Sequence, residues 1–248
     1  MKRIVLLIVL AVSLLGVKSV SGQHYVGVRG GFGGGMSRFE PVLDDRFFSG
    51  LTSWGVSWKY RSDVKYVGVI QLDVLYAGQG FQRAENQFAD TSYRRTVNSI
   101  MMPFMWHPHF QMFKGRSEFF LNLGVYACYN LNSSYEWVSD RNGVFESGDY
   151  EMIDIRDNRF GYGLVAGAGL GVNWGRFELV VEARYWFGYS DILKNHTKYE
   201  GNPMRSPMDQ LNLSVGLYYR LGKYNDKNNG TTRINKTTKG RKSAEKRH

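Results

Sequence analysis

The feature that most constrains this chain is an alternation of large apolar and polar residues that recurs in eight stretches. In the stretch 53–61, one side of the chain is bulky and apolar: Trp54, Val56, Trp58 and Tyr60. The other side is small or charged: Ser53, Gly55, Ser57, Lys59 and Arg61. A period of two is that of a β-strand with one apolar and one polar face. The sequence therefore predicts an all-β fold.

The spacing of the eight stretches indicates a membrane barrel rather than a soluble sandwich. Strands are predicted at 25–34, 51–61, 66–78, 96–106, 118–131, 160–172, 177–188 and 211–221. Strands of about ten residues can cross a bilayer when tilted. Long connections follow the odd-numbered strands and shorter ones the even-numbered strands, including a tight hairpin at 173–176 with Gly175 at positive φ. Outer-membrane barrels separate long outer loops from short periplasmic turns in this way, so we predict an eight-stranded antiparallel up-and-down transmembrane β-barrel.

Side chains on the two faces of the predicted strands support the same architecture. Aromatic residues near strand ends suit the girdles that border an apolar belt: Trp54, Tyr60, Trp106, Trp174, Phe177 and Phe187. Charged residues on the opposite face are predicted to pair inside the lumen: Arg29, Lys59, Asp73, Glu178, Glu182, Arg184 and Arg220. Glycines of the sixth predicted strand would leave room there for Tyr126, Arg184 and Trp186. A lumen of eight strands is filled by side chains, so no solute channel is expected.

The two ends of the chain differ in composition from the barrel. A basic start, an apolar run over 4–17 and small residues up to Gly22 predict a signal peptide at 1–22, with cleavage before Gln23. The barrel is predicted at 23–221, and a disordered basic periplasmic tail at 222–248. Candidate contact residues in the tail are Lys236, Lys239, Arg241, Lys242, Lys246 and Arg247. They would touch anionic headgroups, peptidoglycan or an acidic partner, or the tail is simply solvated.

Charge and cysteine content exclude other classes. The net charge is +10, but the segment 23–221 has 20 basic and 20 acidic residues, so a nucleic-acid-binding domain is not expected. Cys128 is the only cysteine, so the exported chain has no intrachain disulfide.

Three groups of residues resemble reactive or metal-binding sites, but each is better explained as structural. His107 and His109 have a chelating spacing in a predicted periplasmic turn, without a third ligand nearby in sequence. The segment 132–158 has a net charge of −5 but no EF-hand spacing, which favours a solvated outer loop. Ser190, Asp191 and His196 share one outer loop and are the candidates for a catalytic site. We expect no catalytic residues, metal or cofactor.

Four segments of the predicted strands have a distinctive pattern: Ile100-Met101-Met102-Pro103-Phe104, Phe119-Phe120-Leu121-Asn122-Leu123-Gly124-Val125-Tyr126, Gly163-Leu164-Val165-Ala166-Gly167-Ala168-Gly169-Leu170, and Glu182-Ala183-Arg184-Tyr185. Together they resemble the PorT-like family of OmpA-type barrels in Bacteroidota, and the resemblance spans roughly 23–221. The fourth predicted strand departs from the family pattern, with Asn98-Ser99 where relatives often have Leu-Glu.

The resemblance implies a non-catalytic accessory of protein export across the outer membrane, through a type IX secretion system that exports proteases and adhesins. Expected partners are outer-membrane lipid and secretion proteins that contact the periplasmic turns and tail, with the barrel itself monomeric. The alternative is a structural or surface-binding barrel that acts through its outer loops, chiefly 132–158 and 189–210.

Overall fold

The computed structural model describes residues 22–41, 45–62, 68–84, 91–112, 116–139 and 143–222. These residues form eleven strands: β1 (Gly22–Ser37), β2 (Asp45–Arg46), β3 (Phe48–Ser62), β4 (Val69–Ala84), β5 (Thr91–His107), β6 (His109–Met112), β7 (Ser117–Ser139), β8 (Gly143–Tyr150), β9 (Phe160–Trp174), β10 (Phe177–Asp191) and β11 (Pro207–Arg220). Among the described residues, none forms a helix long and apolar enough to cross a membrane.

Eight of the strands close into a ring. Hydrogen-bonded neighbours follow the order β4-β3-β1-β11-β10-β9-β7-β5, and β5 pairs with β4 to complete the circle. All these pairings are antiparallel, and first strand β1 pairs with last strand β11. The three short strands β2, β6 and β8 lie off the ring. The predicted eight-stranded antiparallel barrel is confirmed.

The faces of the ring are apolar outside and mainly polar inside, the reverse of a water-soluble barrel. In β11, Val215 is 51% exposed, whereas the adjacent Ser214 is 3% exposed. The same alternation exposes apolar side chains around the ring, as expected where lipid surrounds the wall. The tight β9–β10 hairpin is also confirmed, with Gly175 at a φ of 61°.

Apolar side chains fill the lumen above and below its charged middle. One cluster contains Leu75, Ala77, Met101, Met105, Tyr126, Cys128, Val165 and Trp186. A second contains Tyr25, Phe120, Val180 and Tyr218. A Cβ on Gly163 would lie 2.7 Å from the Tyr126 ring, so this glycine makes the room that the sequence predicts for Tyr126. Gly169 likewise makes room for Phe120, which was not among the predicted lumen side chains.

Strands β4, β5 and β7 extend further than predicted, so two of the predicted long connections are wrong. The connection predicted between 78 and 96 is mostly strand, since β4 ends at Ala84 and β5 begins at Thr91. The segment 132–158, predicted to be a solvated loop, instead completes β7 and forms β8, which pairs with it. In β7, a register shift opposite Asn98 and Ser99 reverses the parity of the inward positions, which hid the continuation of this strand from the alternation pattern.

We name the two ends of the barrel by what they carry. The terminal end is where β1 begins and β11 ends, and the loop end is the opposite one, which carries the segments 151–159 and 192–206. The signal peptide falls almost wholly, and the tail after Gly222 wholly, outside the described residues. Both therefore stay predictions, as does the periplasmic location of the terminal end.

The exposed apolar wall predicts how a charge on it affects stability. Val215→Arg, in the middle of β11, should lower the free energy of unfolding in lipid vesicles by about 2–4 kcal/mol. Leu221→Arg, just beyond the strand at the terminal end, should cost no more than about 1 kcal/mol, since the side chain reaches the interface. Denaturant titration in vesicles measures both changes, and equal costs would contradict a bilayer around the wall.

Candidate functional site in the lumen and at the loop end

Two arginines and two carboxylates form a neutral cluster in the middle of the lumen. The Asp73 carboxylate oxygen Oδ2 accepts hydrogen bonds from Arg29 Nη1 at 2.9 Å and from Arg184 Nη1 at 2.7 Å. Glu182 Oε1 lies 2.8 Å from Arg184 Nη2 and is also paired with Arg29. All four side chains are almost completely buried. We call this set of residues the central cluster.

The central cluster crosses the full width of the lumen. Asp73 is in β4 and Arg184 is in β10, which are opposite one another in the ring of eight strands. Amides complete the coordination of the two carboxylates: Gln71 donates to Asp73 at 2.6 Å, and Asn122 donates to Glu182 at 2.6 Å. Gln71, Asp73 and Asn122 are fully buried, so side chains fill the lumen and close it at this level.

A second set of ion pairs lies towards the terminal end. Lys59 Nζ is 3.0 Å from Glu178 and 3.6 Å from the centroid of the Tyr218 ring. Arg61 pairs with Glu118 at 2.7 Å. Lys59 and Glu178 belong to the predicted lumen set, whereas Arg61 and Glu118 do not, although Glu118 alternates with apolar residues in the same way. That alternation was the signal that would have identified it.

Arg220, the seventh charged residue predicted for the lumen, neighbours the second set of ion pairs through Tyr25, whose ring also lies near Arg61. Arg220 Nη2 donates to the carbonyl of Gly175 at 3.4 Å, and its guanidinium lies 5.6 Å from the Tyr25 ring centroid. It is the last residue of β11 and lies at the terminal rim rather than in the middle of the lumen. The six candidate contact residues of the tail lie outside the described part of the chain.

The prediction that His107 and His109 lie in a turn is wrong, since both belong to strands. His107 ends β5, is 2% exposed and stacks on Phe120 with ring centroids 5.2 Å apart. His109 begins β6, on the far side of Pro108. Within the described ranges, no group of three or more His, Cys, Asp and Glu side chains could hold a metal ion.

The three candidates for a catalytic site are each held by other partners. The Ser190 hydroxyl bonds the backbone of Tyr162 through both its N–H and its carbonyl. Asp191 accepts from Ser206 N at 2.6 Å and from the Arg205 side chain at 3.2 Å. His196 Nδ1 lies 3.2 Å from the carbonyl of Asn202. These contacts fold the segment 192–206 and do not assemble a nucleophile with a base.

At the loop end, part of the barrel wall rises beyond the apolar belt. Outward residues of β5 are apolar from Ile100 to Trp106 but polar at Arg94, Thr96 and Asn98. This change marks the boundary of the belt, since polar side chains on the outer wall need water. The raised part, which we call the loop-end sheet, has the strand order β2-β4-β5-β7-β8 and comprises 45–46, 79–84, 91–98, 132–139 and 143–150.

The inner face of the loop-end sheet carries a row of aromatic rings. Tyr93 stacks on Tyr135, with centroids 6.3 Å apart and planes at 16°, and meets Trp137 edge-on at 5.0 Å. Phe81 lies 6.5 Å from Tyr93. Tyr93, Tyr135 and Trp137 are only partly buried, whereas Phe81 is 4% exposed. The upper part of the row is therefore accessible to solvent.

The lower part of this face is covered by the segment 151–159. Arg95 Nη2 pairs with Asp157 at 3.0 Å, and both side chains are buried. The guanidiniums of Arg95 and Arg156 lie 3.7 Å and 4.3 Å from the centroid of the Tyr150 ring. Burial raises the pKa of the Tyr150 phenol. Asp157 therefore anchors the segment and is not one of the solvated carboxylates that the sequence predicts.

Removing one charge of the central cluster should destabilise the barrel strongly. Asp73→Asn leaves two buried guanidiniums with a single carboxylate, which should cost about 3–5 kcal/mol of unfolding free energy. Glu200→Gln, a matched change at an exposed carboxylate, should stay within about 0.5 kcal/mol. Denaturant titration in vesicles gives both values. A small effect of Asp73→Asn would show that the lumen is hydrated at this level.

The Arg95–Asp157 ion pair should control the order of the segment 151–159. Loss of a charge-assisted hydrogen bond costs about 1.5–3 kcal/mol, so Asp157→Asn should speed amide exchange there by about tenfold to a hundredfold. Asp154→Asn, in the same segment but exposed, should leave exchange nearly unchanged. Hydrogen–deuterium exchange measures both, and equal rates in the two variants would contradict the anchor.

The comparison with protein families agrees with the architecture. The family model described as "Outer membrane protein beta-barrel domain" matches residues 22–194. No curated protein sequence matches the chain significantly. Among solved structures, Neisserial surface protein A is 13% identical, with 80% of this chain and 97% of that chain covered and a TM-score of 0.40.

Two further solved structures have lower TM-scores. Ail, the attachment invasion locus protein of Yersinia pestis, is 14% identical, with 79% of this chain and 98% of that chain covered and a TM-score of 0.28. The translocator domain of the autotransporter NalP from Neisseria meningitidis is 9% identical, with coverages of 86% and 93% and a TM-score of 0.28. The family model spans most of the chain and fits the closed ring of eight strands. The chain therefore belongs to the outer-membrane β-barrel domain family and is an outer-membrane protein.

Proposed function

We propose that this chain is a non-catalytic surface-binding barrel that holds its ligand on the inner face of the loop-end sheet. The observation that carries the proposal is the accessible aromatic row of Tyr93, Tyr135 and Trp137, raised beyond the apolar belt. Outside the belt no lipid covers such rings, so their exposure to water is a cost that a bound ligand would remove.

The chemistry of the row suits recognition. Tyrosine and tryptophan offer broad apolar faces and a polar group at one edge, which is why they are enriched in binding sites. The Tyr135 hydroxyl lies 3.4 Å from Glu146 Oε1 on neighbouring β8, so a carboxylate borders the rings. Backbone pairing of β5, β7 and β8 holds these residues on a rigid support.

The closed lumen supports a function at the surface rather than in transport. The central cluster joins opposite strands, so a solute has no path through the barrel. The absence of catalysis is part of the proposal. It is supported by the separate hydrogen-bonding partners of Ser190, Asp191 and His196.

A second candidate is the accessory role in protein export that the resemblance to PorT-like barrels implies. A closed lumen suits an accessory better than a conduit. In this role the terminal end, with its turns and the basic tail, would contact type IX secretion proteins in the periplasm. The signal peptide at 1–22 would bring the chain to the same membrane in either case.

One complementation experiment separates the two functions. A deletion strain receives one of four chains: the full chain, a chain ending at Gly222, the double variant Tyr93→Ser with Trp137→Ser, or Phe47→Ser. The last is a control that removes an exposed aromatic residue at the same end of the barrel. Attachment of cells to immobilised polysaccharides and matrix proteins is measured, together with secreted and periplasmic proteins.

The binding function predicts that attachment falls severalfold in the deletion strain and stays low when only the double variant is supplied. The other three chains should restore attachment, and secretion should be normal in every strain. Loss of two aromatic contacts, each worth about 0.5–1.5 kcal/mol, accounts for that size of effect. Accumulation of unprocessed exported proteins in the periplasm of the deletion strain, with unchanged attachment, would instead identify the export role. Normal restoration of attachment by the double variant would exclude the aromatic row as the binding face.

A further inference from the structure

A groove of about 520 Å³ runs along the outside of the barrel wall near the terminal end. Its lining is almost entirely apolar, and its principal side chains are Val26, Val28, Val56, Trp58, Leu217 and Tyr219. The groove belongs to the exposed belt, since Val28 is 60% and Val56 is 57% exposed. It is separate from the lumen and from the loop-end sheet.

The shape of the groove follows from side-chain size. Its floor is the backbone of Gly27 and its paired neighbours Ser57 and Tyr218, whose side chains belong to the inner face. Short valines stand beside this floor, and larger aromatic residues, including Phe177, border it.

The border of the groove carries a positive charge at the terminal rim. Tyr219 meets Phe177 edge-on at 5.4 Å, and the Tyr219 hydroxyl accepts a hydrogen bond from Arg176 Nη1 at 3.0 Å. Arg176 is exposed in the turn between β9 and β10. On another border, His24 stacks on Trp58 with ring centroids 5.8 Å apart. An apolar groove thus leads to a guanidinium at the depth where strands end and headgroups begin.

We propose that this groove binds one anionic phospholipid, with an acyl chain against Val26, Val28 and Val56 and its phosphate at Arg176. The groove occupies the terminal half of the wall, so its depth corresponds to one leaflet, about half of the ~30 Å hydrocarbon core. A guanidinium offers several N–H donors in a planar fork that suits phosphate oxygens, beyond the one bonded to Tyr219. The site is independent of the binding function proposed for the loop end.

The test uses the full-length chain and two lipids with identical acyl chains. Protein in detergent is mixed with equal amounts of phosphatidylglycerol and phosphatidylcholine, and native mass spectrometry counts the lipids retained. We expect complexes with one phosphatidylglycerol to outnumber those with one phosphatidylcholine about fivefold. This ratio corresponds to the attraction of about 1 kcal/mol between one arginine and an anionic headgroup. Equal retention of both lipids by the unmodified chain would overturn the proposal.

Two pairs of matched variants locate the site. Arg176→Gln should abolish the preference, whereas Arg116→Gln, which removes an exposed charge not in contact with the groove, should keep it. Val28→Phe should fill the groove and lower retention of both lipids severalfold, whereas Val181→Phe, on the wall outside the groove, should not. The basic tail is present in every variant and cancels in the comparison.

Circular dichroism and heat-modifiable migration in gels confirm that each variant is folded before its lipids are counted. Equal effects within either pair would overturn the site, as would a lipid-free dimer in place of the lipid complex. Neither result would affect the attachment test of the loop end, because that test does not involve this part of the wall.

Discussion

The buried contact between Asp73 and two guanidiniums is the interaction on which the rest of the barrel depends. Lipid on the outside requires apolar outward residues, and the strand period then places polar residues inside. A narrow lumen holds little water, so those polar residues must satisfy one another. The central cluster does this with equal numbers of cations and anions and with amide donors from Gln71 and Asn122.

A barrel whose lumen is closed can act only at its surfaces, and the two ends and the wall differ in what they offer. The loop end presents aromatic rings on a hydrated sheet, where they are accessible to water-soluble molecules. The wall near Gly27 presents an apolar groove with Arg176 at its rim, where only molecules of the bilayer can reach. These two surfaces use the same kinds of side chain, and the surrounding solvent determines what each can bind.

The sequence predicts the faces of the strands better than the contacts between them. Alternation placed Ser214 inside and Val215 outside, because a period of two is a local property. It also selected six residues that form ion pairs with one another, but not which of them pair, since the pairing depends on shear and register around the ring. Arg220 illustrates the difference, because its position in the alternation faces the lumen but it lies at the terminal rim. Alternation predicts which face of the wall a residue occupies, but not how far along the barrel axis it lies.

The loop-end sheet was missed for a related reason. The rule that identifies a membrane strand expects apolar residues on the outer face, and beyond Ile100 that face of β5 becomes polar because water replaces lipid. The register shift beside Ser99 then changes the parity of β7, which brings Tyr135 and Trp137 to the inside. In this hydrated region the inner face needs a cover. The segment 151–159 covers Arg95 and Tyr150 but leaves the rings around Tyr93 partly open. A buried ion pair closes the covered part, whereas the rings around Tyr93 stay partly exposed, and it is on these rings that we propose a ligand packs.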